Sequence, residues 1–284
     1  MKYRELLKYG NEYMIKHNME ESGALFLLEY ASGKSSPNLY ASLDEDVDKD
    51  IEDKYQTLLD EHCIKNRPIY YIIGHAPFYG YEFIVNENVL IPRFETEELV
   101  EHVLELFDKY YKGEPVKVAD IATGSGCIGL TLKLEQPNMD VTITDISDKA
   151  LEVAKVNSIA LNAPARILKG DMCEPVRNEK FDIIVSNPPY IPENEEVQTI
   201  VKDNEPNIAL FGGSDGLKFY RVIMKDAVNM LNSNGILAFE HGFDKKEEMR
   251  KLANEYFPDA NIISLKDLEG KDRMTIIVKG FKNE

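Results

Sequence analysis

Asn187, Pro188, Pro189 and Tyr190 bring together groups that can handle a planar amine. They follow Phe181, Asp182, Ile183, Ile184 and Val185, whose apolar run predicts a strand over 181–185. In open α/β sheets, ligands bind at the carboxyl ends of strands. Two consecutive prolines cannot continue a ladder or a helical turn, and the first holds Asn187 in extended geometry. The Pro188 carbonyl is thereby left without a secondary-structure partner, beside the side-chain carbonyl of Asn187, and Tyr190 adds a flat face. An amide or exocyclic amine nitrogen is a poor nucleophile because its lone pair is delocalised. The same resonance gives the peptide bond a rotation barrier of roughly 18–20 kcal/mol. Two acceptors holding both N–H bonds favour a pyramidal nitrogen with a free lone pair, which suits methyl transfer to that nitrogen. The bland alternative is a proline-rich turn leaving a strand.

A second set of residues offers a nucleotide-like cofactor a place to lie. Val116–Asp120 predicts a strand, and Ile121, Ala122, Thr123, Gly124, Ser125, Gly126, Cys127, Ile128 and Gly129 follow. Small residues let a loop backbone approach a ligand closely before the next helix begins. Asp145 ends the next strand, where a carboxylate can accept hydrogen bonds from ribose hydroxyls, unless it merely caps the helix that starts near Ser147. Asp171 and Met172 end a third strand, where one can accept from an adenine amine and the other can pack on the base. The loop alone is ambiguous. Gly124, Gly126 and Gly129 satisfy G-x-G-x-x-G, with Asp145 at the dinucleotide distance, so a nicotinamide-dependent dehydrogenase is a rival. Two features oppose it: Asp120 stands four residues before the glycines, where a methyltransferase places an acid, and Asn187–Tyr190 have no role in hydride transfer.

The elements that position these groups alternate. Strands are predicted at 116–120, 140–145, 166–169, 181–185, 235–240, 260–264 and 273–279, and helices at 96–111, 127–135, 147–161, 215–231 and 244–256. Thr96 is placed to N-cap the first of these helices, with Glu97 and Glu98 in its first turn. Such alternation gives an α/β fold with a mainly parallel sheet covered on both faces. Residues 1–75 read as a helical recognition bundle. Residues 76–95 read as a β-hairpin linker, with its turn at Asn86-Glu87-Asn88, and 96–284 as the catalytic domain.

Composition narrows the partners. A chain of 284 residues holds one large or two ordinary domains, and 43% hydrophobic with 29% charged residues is ordinary for a globular protein. No apolar run approaches the ~20 residues that span a bilayer, and the first residues lack a signal-peptide core. Cys63, Cys127 and Cys173 are scattered, which predicts free thiols in a reducing cytosol and gives no metal-ligand spacing. A net charge of −17 opposes a duplex-gripping footprint and favours a basic protein partner, or serves solubility alone. Glu193, Glu195, Glu196, Asp203 and Glu205 are read as an acidic loop that steers a basic substrate.

The chain resembles the bacterial release factor glutamine methyltransferase family (HemK/PrmC) along nearly its whole length. The resemblance rests on Arg67-Pro68, Phe78-Tyr79-Gly80, Ile91-Pro92-Arg93-Phe94-Glu95-Thr96-Glu97, Thr123-Gly124-Ser125-Gly126, Asn187-Pro188-Pro189-Tyr190 and Glu240-His241-Gly242. It implies a seven-stranded Rossmann-like methyltransferase domain behind a small helical bundle and a hairpin linker. It also implies a cytoplasmic enzyme with S-adenosyl-methionine as donor and no metal. The acceptor would be the glutamine of the Gly-Gly-Gln loop in class-1 peptide-chain release factors. Carried over, the cofactor contacts are Thr123, Gly124, Ser125, Gly126, Asp145, Met172 and Asn187, and Asn187, Pro188, Pro189 and Tyr190 form the glutamine-binding and catalytic set. The loop reading adds Ala122 and Asp171 to the cofactor contacts. A ribosomal-protein glutamine methyltransferase and an adenine-specific nucleic-acid methyltransferase are the alternatives, with a non-catalytic binding module behind them. Two positions depart from the family, which usually has Gly at Ala122 and Pro at Phe94. The first would crowd the cofactor loop, and the second would alter the hinge or wall the site. Arg93 with Glu95, and Asp272 with Arg273, are read as structural; His241 is not favoured as a base.

Overall fold

A computed structural model describes residues 1–281 as two compact units. One comprises Met1–His75 with Gln198–Asn204, and the other Ala76–Val197 with Glu205–Glu284.

The first unit is helical: α1 (Tyr3–Lys16), α2 (Ser22–Ser32), α3 (Ser36–Ala41), α4 (Lys49–Cys63) and α5 (Ile69–Ile73). Leu6, Met14, Leu27, Leu28, Tyr55 and Leu59 repeat at helical spacing and fill its core. The Tyr55 hydroxyl, buried with its ring, donates to the Ala24 carbonyl at 3.0 Å. The short helix Thr199–Asn204 belongs to this unit, and Asn204 Nδ2 donates to the Asn66 carbonyl at 2.8 Å.

A hairpin of β1 (His75–Phe78) and β2 (Tyr81–Ile84) opens the second unit, which takes in all of it but its first residue, His75. The hairpin turn is Tyr79-Gly80, both with positive φ, as a two-residue hairpin loop requires. The expected turn at Asn86–Asn88 does exist, with the Val89 N–H on the Asn86 carbonyl, but no strand follows it. Val85, Val89 and Ile91 are buried in irregular chain, which is why their alternation imitated a strand. Phe78 and Phe83 meet edge-on at 5.9 Å in the core. Full burial of each is worth about 1.5–3 kcal/mol, so the hairpin is anchored to the domain by its aromatic face.

Next come α6 (Phe94–Tyr110), β3 (Val116–Ile121), α7 (Cys127–Glu135), β4 (Met139–Asp145), α8 (Asp148–Ala160), β5 (Arg166–Lys169) and β6 (Phe181–Ser186). After the Thr199–Asn204 helix, α9, come α10 (Lys218–Met230), β7 (Leu231–Glu240), α11 (Lys246–Tyr256), β8 (Asn261–Lys266) and β9 (Asp272–Lys279). The seven strands order as β5-β4-β3-β6-β7-β9-β8, parallel from β5 to β7, with β9 antiparallel to both its neighbours. The central strands are apolar on both faces because helices cover both. Val118, Val141 and Ile183 pack with Leu99, Val103 and Phe107 of α6, while Ile121, Ile184 and Phe239 pack with Tyr220 and Met224 of α10 and Met249 of α11. Strand order reverses between β3 and β6, and the crevice at such a switch point is where open α/β sheets bind ligands. No helix among the described residues is long and apolar enough to cross a membrane.

Candidate active site

The switch point places the ends of β3 and β6 side by side, with Ile121 in register with Ser186. The Ser186 hydroxyl donates to the Ile121 carbonyl at 2.6 Å and locks the two ends together. Residues 122–126 and Asn187 therefore leave the sheet at the same place.

Asp120 builds the loop from below. Its side chain is fully buried, and Oδ2 accepts the Thr123 hydroxyl at 2.5 Å and the Gly129 N–H at 2.9 Å. A Cβ on Gly129 would sit 3.0 Å from that oxygen and 2.7 Å from Ile143, so glycine is what lets α7 close onto the carboxylate. Burial pushes the Asp120 carboxyl up to about 7, against the two hydrogen bonds that favour its charge. The folded state therefore holds more protons than the unfolded chain between about pH 4 and pH 7, and stability falls as pH rises through that window. Asp120→Asn keeps an acceptor for Gly129 and removes this contribution. Urea titrations at pH 5 and pH 8 should show a smaller loss of stability for the variant than for the parent.

Asp145 holds the loop from the side. Oδ2 accepts the Gly124 N–H and Oδ1 the Ser147 N–H, both at 2.9 Å. Burial pushes its carboxyl up, with the N–H groups of Ser147, Gly124 and Ile146 opposing. Capping of α8 falls to Ser147, whose hydroxyl accepts the Ala150 N–H at 3.2 Å. Asp145 keeps free lone pairs toward a cavity of about 310 Å³, and a Cβ on Gly124 would meet nothing within 4 Å.

Ala122, Thr123, Gly124, Ser125, Asp145, Asp171, Met172 and Asn187 all line this cavity. Gly126 does not; it turns the chain into α7 with φ +85°. Pro189 lines it, whereas Pro188 is buried outside the lining and Tyr190 packs against the core cluster under α10. No donor among the described residues reaches the Pro188 carbonyl. Ala122 has φ +60°, a conformation that costs an L-residue roughly 1–2 kcal/mol. Ala122→Gly should raise stability by about 0.5–1 kcal/mol in a thermal melt, once the larger chain entropy of glycine is deducted.

Thr96 departs from its expected role. Helix α6 starts two residues earlier, with Arg93 as N-cap, and Thr96 is buried. Its hydroxyl donates to Glu240 Oε2 at 2.6 Å and accepts from Asn187 Nδ2 at 3.2 Å. Burial pushes the fully enclosed Glu240 carboxyl up to about 7, with Thr96 as the strongest opposing contact. Arg93 pairs with Glu205, not Glu95, and Glu205 Oε2 also accepts the Ile91 N–H at 3.2 Å. Glu205 is thus a buried structural acid, and Asp203 belongs to the helical unit; of the expected acidic loop, Glu193, Glu195 and Glu196 are exposed beside the site motif. Phe94 is 68% exposed and does not line the cavity. It is the first residue of α6 behind an extended Arg93, a position that also accepts proline. His241 is buried, with its nitrogens on Thr275 Oγ1 and the Gly242 carbonyl, and burial pushes its imidazole down. Asp272 pairs with Lys246 and Arg273 with Asp267.

Sequence reasoning overlooked three of these groups. Glu240 stood only in a motif of resemblance. Glu205 was grouped with its acidic neighbours. Asn157, mid-helix in α8, gave no signal at all; it takes the Ile84 N–H at 2.7 Å and donates to the carbonyls of Ile84 and Ser125, tying hairpin to cofactor loop.

Residues 96–204 match the methyltransferase small domain and residues 5–74 the PrmC N-terminal domain. The release factor glutamine methyltransferase of Bacillus cereus is 39% identical over 278 residues, covering 96% of this chain and 98% of the relative. That of Bacillus subtilis is 40% identical over 285 residues, covering 99% and 98%. Among solved structures, a methyltransferase from Pyrococcus furiosus superposes with TM-score 0.52 at 21% identity, over 72% of this chain and 91% of the other. The 16S rRNA N2 G1207 methyltransferase of Thermus thermophilus, in complex with AdoMet and guanosine, gives TM-score 0.53 at 18% identity, over 72% and 49%. These two share the fold alone. The doubly wound sheet, the switch-point cavity and the matched domain define a methyltransferase. Within that class, the chain belongs to the release factor glutamine methyltransferase family.

Proposed function

We propose that this protein methylates the side-chain amide nitrogen of the glutamine in the Gly-Gly-Gln loop of class-1 release factors, in the cytoplasm, with S-adenosyl-methionine as donor. The observation that carries the reading is Asn187: it leaves β6 at the switch point, lines the same cavity as the glycine loop, and has its amide nitrogen committed to Thr96. Its Oδ1 is then the end available to a substrate N–H.

The residues present fit the donor. Asp145 accepts the ribose hydroxyls with its remaining lone pairs, Gly124 and Ser125 lay bare backbone against the methionine part, and Asp171 and Met172 hold the adenine. When bound, the donor supplies a methyl group activated on a sulfonium. Asn187 Oδ1 takes one N–H of the glutamine amide from the cavity wall and Pro189 shapes its plane. The unpaired Pro188 carbonyl between them is the acceptor proposed for the second N–H, and Tyr190, packed on the core, holds the turn in place. Holding the nitrogen in line lowers the barrier by as much as roughly 7–11 kcal/mol when the geometry is right. No buried base is required, because the proton released after transfer passes to water. The helical unit recognises the release factor, and the exposed Glu193, Glu195 and Glu196 attract its basic loop.

The test is transfer of labelled methyl to an intact release factor, to its Gln→Ala version in the Gly-Gly-Gln loop, and to duplex DNA. Label on the intact factor alone supports both substrate and residue. Label on DNA alone moves the protein to the nucleic-acid class.

A further inference from the structure

Asn187 can serve as an acceptor only if its amide is held one way round, because a flip of its amide would present two N–H donors to a substrate that is itself a donor. The structure contains a device for this. Glu240, at the carboxyl end of β7, has its carboxylate fully buried and takes the Thr96 hydroxyl proton at 2.6 Å. With that proton committed, Thr96 Oγ has only lone pairs left for Asn187, and Nδ2 fills one at 3.2 Å. Three elements far apart in sequence, the start of α6, the end of β6 and the end of β7, converge on one short chain of hydrogen bonds, and none of its links is duplicated by a backbone ladder.

We propose that Thr96 and Glu240 are positioning residues that set the polarity of Asn187, and that a proton on Glu240 reverses it. The inference rests on the function proposed above. With Glu240 ionised, the order is Asn187 N–H to Thr96 Oγ, then Thr96 O–H to the carboxylate, and Oδ1 faces the cavity. When Glu240 takes a proton from solvent, its carboxyl can donate to Thr96 Oγ. The Thr96 hydroxyl then turns its own proton toward Asn187 and is best met by Oδ1. The amide inverts and the acceptor is lost from the site.

The groups that surround Glu240 decide where this happens. Thr96 and Arg273 on β9 favour the ionised form, as does the Asn187 amide, which also reaches the carboxylate directly and so feels its charge in the same sense. Glu95 on α6 opposes it, and the Tyr190 and Tyr220 hydroxyls and the Cys127 thiol all face it as neutral groups. The Tyr220 hydroxyl also fixes the Glu240 backbone by donating to its carbonyl at 2.8 Å. Burial outweighs Arg273, so the carboxyl titrates near neutrality, inside the working range of an enzyme.

The experiment is the pH dependence of kcat for methyl transfer to an intact release factor, from pH 5.5 to pH 9, with thermal melts and titration of S-adenosyl-methionine on every variant. For the parent, kcat rises with pH through a midpoint near neutrality. Thr96→Val loses kcat by roughly 10–100-fold, the cost usual for removing a group that orients a first-contact residue, with cofactor affinity retained and a melt that stays cooperative, though lowered by the donor taken from Glu240. Thr96→Ser restores kcat, because the hydroxyl is what matters. Glu240→Gln cannot take up the proton, still accepts from Thr96 through its carbonyl, and flattens the acid limb. Parent-like kcat in Thr96→Val overturns the inference. So does an unchanged acid limb in Glu240→Gln, which would assign that limb to another group such as Asp120. A parent enzyme that labels no release factor at any pH overturns the function itself, and this inference with it.

Discussion

Asn187→Ala is expected to lower kcat for methyl transfer by about 10²–10³-fold, the usual cost of deleting one preorganised polar contact to the reacting group. The effect should fall on kcat and on kcat/KM together, because the contact matters most when the nitrogen becomes pyramidal. Cofactor affinity should fall only modestly. Asp145, Gly124 and Met172 line the cavity from other strand ends, and none is hydrogen-bonded to Asn187. Folding should be little changed, since the side chain is half-buried and its polar contacts are a 3.2 Å bond to Thr96 and a hydrogen bond to Glu240, which keeps Thr96 as a donor. Asn187→Asp is the sharper companion. A carboxylate keeps an acceptor in place but has no N–H for Thr96, and it stands next to the Glu240 carboxylate. It should lose most of the rate too. Steady-state kinetics with a calorimetric cofactor titration separates the cases, and near-normal turnover in Asn187→Ala would remove this residue from the chemistry.

The sheet was legible because its central strands are buried on both faces and so read as short apolar runs between small-residue loops. Ile183, Ile184 and Val185 are all fully buried, and no compromise with solvent blurs the pattern. The gathering of residues 122–125, Asp145, Asp171 and Asn187 around one cavity follows from the same topology, because every one of them sits at or just past a strand end. What escaped was decided by partners distant in sequence. Thr96 looked like an N-cap because capping preference is local, yet its hydroxyl is claimed by a residue 144 positions away. Glu205 looked like one more surface acid because nothing beside it shows that Arg93 and the Ile91 N–H enclose it. The hairpin turn was misplaced because Tyr79 adopts positive φ without being glycine, asparagine or aspartate, and its ring carries no mark of that. The segment 198–204 gave no sign of joining the helical unit, since its pattern is too short to reveal which core it serves.

The Arg93–Glu205 pair should be the most sensitive structural contact near the site. The Glu205 side chain is 2% exposed and that of Arg93 37%, so the carboxylate is taken out of water while the guanidinium keeps part of its solvation. Pairs of this asymmetry gain modestly when intact and cost heavily when halved, because the survivor is a buried charge with no counter-ion. Arg93→Ala leaves Glu205 with the Ile91 N–H as its remaining donor, at 3.2 Å. The expected loss is about 3 kcal/mol, the low end for breaking a buried pair, since the exposed side of Arg93 lets some water replace it. For a domain of this size that lowers Tm by roughly 6–12 °C. Adding Glu205→Gln in the same chain removes the stranded charge and should recover a large part of the loss, a non-additivity that a surface pair would not give. Activity should suffer as well, because Pro206, Ile208 and Ala209 follow Glu205 closely in the chain and line the same cavity as the cofactor loop. Melting curves of the two single variants and the double decide the matter. If Arg93→Ala melts with the parent, the pair is no more than a solvated surface contact, and the anchoring of this wall must lie elsewhere in the 205–211 segment.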